Sequence, residues 1–66
     1  MSPEESRRLA LAEWHAREAI ACAAVDSPHE DSHLASAIEF LRSAKAWRPG
    51  VETADDVIAA ICNVTR

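Results

Sequence analysis

The sequence predicts an all-α fold: an antiparallel helical hairpin plus a short third helix, a small three-helix bundle expected to dimerise. Three observations carry the prediction. The chain has 14 alanines but one glycine in 66 residues; alanine is the strongest helix former, and one glycine leaves little for tight strand turns. Its apolar residues recur at spacings of three and four rather than two. Helix-start chemistry appears three times, at Ser2-Pro3-Glu4-Glu5, Ser27-Pro28-His29-Glu30 and Thr53-Ala54-Asp55-Asp56.

The first of these reads as a capping box. Ser2 is the N-cap, Pro3 takes the first helical position where its missing N–H does no harm, and Glu5 is the third residue. The helix it opens is expected over about 3–25. Its core stripe is Leu9, Ala12, Ala16, Ala19, Ile20 and Ala23. A second apolar stripe, Leu11, Trp14, Ala21, Cys22 and Val25, lies on roughly the opposite side. A surface helix needs one apolar stripe to join its own core, so the second needs cover from the third helix or from another molecule.

The second helix is expected over about 28–47, starting almost at once after the first. Pro49 pushes Arg48 out of helical geometry, and Gly50 completes the break. Leu34, Ala37, Ile38, Leu41 and Ala44 form its core stripe, flanked by Phe40 and Trp47, with Ala35, Glu39, Arg42 and Ala46 facing solvent. Arg42, Lys45 and Arg48 complement the dipole of its last turns. The third helix, about 54–64, opens with carboxylates and presents Val57, Ile58, Ile61, Cys62 and Val64. The whole chain, 1–66, is one domain.

Composition excludes several functions. The formal net charge is −4, whereas nucleic acid requires a dense basic face. A helix-turn-helix reading fails because the would-be recognition helix opens with Asp55 and Asp56, which phosphates repel. No run approaches the ~20 apolar residues of a membrane span. The acidic amino end, Met-Ser-Pro-Glu-Glu, does not look like a secretory signal, so a cytoplasmic location with Cys22 and Cys62 as reduced thiols is expected. Ala37, Leu41, Ala44 and Pro49 fall at tetratricopeptide spacings. The matching first-helix positions hold Ala21, Ala24, Val25 and Pro28, so this reads as ordinary helix-pair packing.

No enzymatic activity and no cofactor are expected: nothing in the chain assembles a nucleophile, base and orienting group beside a pocket. His29 and His33, spaced i, i+4, would share a helix face and form the nucleus of a metal-binding module, the first alternative. A structural subunit of a larger assembly is the second. The leading expectation is a small acidic protein–protein interaction module. It would bind another protein sterically, as an accessory regulator or inhibitor of phage or mobile-element type, and would form a homodimer. Aromatic anchors dominate interface energetics, so Leu11, Trp14, Glu18, Val25 and Trp47 are the expected partner-binding residues.

Overall fold

The computed structural model describes residues 2–65. Three helices form, α1 (Pro3–Ala24), α2 (Glu30–Ser43) and α3 (Ala54–Val64), and no strand occurs among the described residues. α1 is the spine and packs against both others. No helix is long and apolar enough to cross a membrane among the described residues.

Both outer starts form, Ser2 capping α1 through its hydroxyl and Thr53 capping α3 through a full capping box. Ser2 Oγ accepts the Glu5 N–H at 3.2 Å and donates to the Glu5 carboxylate at 3.3 Å. Thr53 closes a full capping box: its hydroxyl accepts the Asp56 N–H at 3.1 Å, and Asp56 Oδ2 accepts the Thr53 N–H at 3.0 Å.

The middle start differs from the sequence reading. α2 begins at Glu30, not at residue 28, and Ser27 does not cap it. The reason lies in how α1 ends. Asp26 adopts a left-handed conformation, φ 53°, and the Ser27 N–H reaches back to the Cys22 carbonyl at 2.8 Å while Asp26 donates to Ala23 at 3.3 Å. This is a Schellman ending, and it commits Ser27 to the end of α1. The Ser27 hydroxyl then accepts from the His29 N–H at 3.3 Å, shaping a turn instead of a helix start.

α2 also stops earlier than residue 47. Lys45 is left-handed at φ 60°. Ala46 donates to the Leu41 carbonyl at 3.0 Å and Lys45 to Arg42 at 2.9 Å, a second Schellman ending that breaks the helix before Pro49 acts. The apolar contact that accompanies this motif is supplied by Ala46, which is buried and not on the solvent side. Trp47 therefore lies beyond the helix.

Leu9, Ala12, Ala16, Ala37, Leu41, Ala44, Ala46, Val57 and Ile61 form the buried cluster. Ala12, Ala16 and Ala37 are fully buried, as are Leu41 and Val57. Small side chains at the seam between α1 and α2 let the two helices approach closely, while Leu41 and Val57 fill the volume left between elements. Ile38, Phe40, Trp47, Val51, Ile58 and Val64 pack around this cluster, half-buried. Ile20 and Ala23 leave the expected core stripe of α1 and are exposed. Cys62 is exposed and Cys22 half-buried, both as free thiols.

Candidate functional site

The second stripe of α1 remains open. Leu11 is 38% exposed, Trp14 52% and Val25, just past the helix end, 75%. Helical spacing puts Glu18, half-buried, on the same side. Four of the five residues expected to meet a partner thus share one side of α1. α3 covers the opposite flank, where Leu9 joins Ile61 in the buried cluster.

Trp47, the fifth, does not join them. Its indole N–H donates to the Val51 carbonyl at 3.1 Å, and the Arg42 guanidinium lies 4.6 Å over its ring. Both interactions hold the residue within the chain, tying the segment after α2 to the helix it leaves.

Trp14 sits on a platform of rings that the sequence reading did not assemble. Its indole meets His15 edge-on at 4.8 Å and His33 edge-on at 5.7 Å. His15 stacks on Phe40 at 5.6 Å, 13° from parallel. His15 Nδ1 and His33 Nδ1 are 3.1 Å apart. At that distance one ring carries the proton on Nδ1 and the other offers its lone pair, so the two imidazoles lock one another. Edge-on aromatic contacts are worth ~0.5–1.5 kcal/mol beyond area burial, which is enough to bias the rotamer of a half-exposed tryptophan.

One part of this platform has a signal in the chain: His15 lies about three turns before the α1–α2 connection and Phe40 about three turns after it, the spacing at which a helical hairpin would bring the two level. His29 and His33 invited a metal reading instead. The structure couples His33 to His15, and His29 precedes α2 without capping it through its side chain. No group of three or more potential metal ligands occurs among the described residues.

Charges near the platform divide into two sets. Arg8 donates to the Ser43 carbonyl at 3.3 Å, placing its guanidinium at the negative end of α2, and approaches Glu4 at 4.0 Å. Arg17 pairs with Glu13 at 3.5 Å. Arg7 and Glu18 make no ion pair or side-chain hydrogen bond within the described residues.

Elsewhere the surface has shallow grooves. One of about 250 Å³ lies between the segment following α2 and α3, lined by Arg48, Pro49, Gly50, Val51 and Asn63 among others. Its acidic residue, Asp56, is engaged in capping α3. Backbone N–H groups of Glu52 and Thr53 donate to the Asp56 carboxylate and hold it below the ordinary carboxylate range, helped by the Thr53 hydroxyl.

Compared with protein families, with curated proteins and with solved structures, the chain matches none.

Proposed function

We propose that this chain is a protein-binding module whose contact surface is the open side of α1, centred on Trp14 and flanked by Leu11, Glu18 and Val25. One observation carries the reading: a chain of 66 residues leaves Leu11 and Trp14 exposed on one side of its longest helix, with Val25 exposed just past the end of that helix. Scattered exposed apolar residues are ordinary, but aligned ones rimmed by charge mark interaction sites. The ring platform strengthens the reading, because a tryptophan held in place loses less freedom on binding than a mobile one.

The contacts of Arg8 with Ser43 and of His15 with His33 support an antiparallel hairpin of α1 and α2. Such a hairpin is a rigid support for a side-chain patch. The mode of action is steric: the module covers a surface of its partner, as an accessory regulator or inhibitor does.

The test is site-specific photo-crosslinking in producing cells, with a photoreactive phenylalanine analogue replacing Leu11 in one variant and Ile20 in another. Ile20 is exposed, and helical spacing puts it on the opposite side of α1 from Leu11. The reading predicts a discrete protein adduct from position 11 and not from position 20. No adduct from position 11, or the same adducts from both positions, overturns it.

A further inference from the structure

The open side of α1 carries a row that is symmetric in spacing and complementary in charge to its own reverse. Arg7, Leu11, Trp14 and Glu18 are spaced four, three and four. They form one helical row about 16 Å long, with a positive charge at one end, a negative charge at the other and two apolar groups between. Arg7 is exposed and Glu18 half-buried. Neighbouring Arg8 and Arg17 are paired with Glu4 and Glu13, whereas Arg7 and Glu18 have no partner within the described residues.

We infer that this row docks on the same row of a second copy of the chain, with the two α1 helices antiparallel. A two-fold axis midway between Leu11 and Trp14 sets Leu11 of each copy against Trp14 of the other. The same axis sets Arg7 of each copy against Glu18 of the other, so two ion pairs form and every unpaired charge of the row gains a partner. Parallel copies in register would oppose Arg7 to Arg7 and Glu18 to Glu18. An antiparallel pairing shifted toward Val25, with Leu11 on Val25, would oppose Glu18 to Glu18 and leave Arg7 without a partner. Charge complementarity thus selects both the occupant and the register.

The row is smaller than the ~800 Å² per partner of a stable interface. The dimer is accordingly one that exchanges with monomer as concentration changes. This inference rests on the reading of the α1 side as a protein-contact surface, and names its occupant.

The experiment is molar mass by light scattering over a wide concentration range, on the wild-type chain, Arg7→Glu, Glu18→Arg and the double exchange. Arg7 is near the start of α1, where glutamate favours the helix dipole, so lost association in Arg7→Glu is not lost helix; circular dichroism checks the fold of all four. The wild type should rise toward two chains. Each single exchange creates two like-charge contacts and should weaken association roughly tenfold, and the double exchange should restore it to within about threefold. A dimer equally strong in all four proteins overturns the register. A wild type that stays monomeric at every concentration overturns the second copy as occupant. An adduct of foreign mass from position 11 would then still sustain the contact surface itself, which separates the two failures. Growth beyond two chains overturns the closed pair in favour of an assembly subunit.

Discussion

His15 and His33 face each other with their Nδ1 atoms 3.1 Å apart, and together they form the surface against which Trp14 rests. The contact links α1 to α2. Replacing His33 with alanine removes one half of the hydrogen bond and one of the two edges against Trp14. A loss of about 1 kcal/mol in unfolding free energy is expected. In a Trp47→Phe background, where Trp14 is the remaining tryptophan, its fluorescence anisotropy should fall as the indole gains freedom. Unchanged anisotropy in His33→Ala would mean that the platform does not hold Trp14.

Lys45 ends α2 in a left-handed conformation that costs a residue with a side chain ~1–2 kcal/mol. Glycine pays no such penalty but loses more backbone entropy on folding. Lys45→Gly should therefore stabilise the chain by about 0.5–1 kcal/mol in urea unfolding. Asp26→Gly should gain less, because aspartate tolerates the left-handed region better than lysine.

Asp56 has a depressed pKa because two backbone N–H groups donate to its carboxylate. A group with a lowered folded pKa stabilises the fold above its unfolded value, and that stabilisation is lost as pH falls through the folded value. Acid unfolding should therefore deepen below about pH 4. Asp56→Asn should lower the melting temperature at neutral pH and flatten its decline below pH 4. An equal decline in both proteins would show that the box contributes no pH dependence.

The core relies on few large side chains, so Leu41 carries much of it. Leu41 is fully buried, and Leu41→Ala should cost about 2–5 kcal/mol. Ala16→Leu tests the other side of the packing. Ala16 is also fully buried, and overfilling the seam should cost about 1–3 kcal/mol. Thermal unfolding of both variants checks these values. A stabilised Ala16→Leu would contradict a close-packed seam.

Legibility in the sequence followed the range of the forces involved. The helices and their outer caps depend on neighbours within four residues, so Ser2 and Thr53 announced them. The two ends of α2 depend on what adjoining segments do. Ser27 carried a helix-start signal but was committed to closing α1. Ala46 fitted a helical pattern but was taken into the core by the turn at Lys45. The open stripe of Leu11, Trp14 and Val25 was visible as apolar residues out of phase with the core. Ile20 and Cys62 fit apolar stripes yet lie exposed, because a stripe is wider than the surface that covers it. The pairing of His15 with His33 was hidden, since its two members stand 18 positions apart and only the register of two helices joins them.

In the inferred pairing a second copy of the chain covers the Trp14 side of α1. Acrylamide quenching of Trp14 in the Trp47→Phe variant, followed from dilute to concentrated protein, reads that cover out. With a second copy as occupant, quencher access should fall and emission should shift to the blue as concentration rises, and Arg7→Glu should delay both changes. A Trp14 that stays as open to acrylamide in concentrated as in dilute solution would contradict the second copy as its cover.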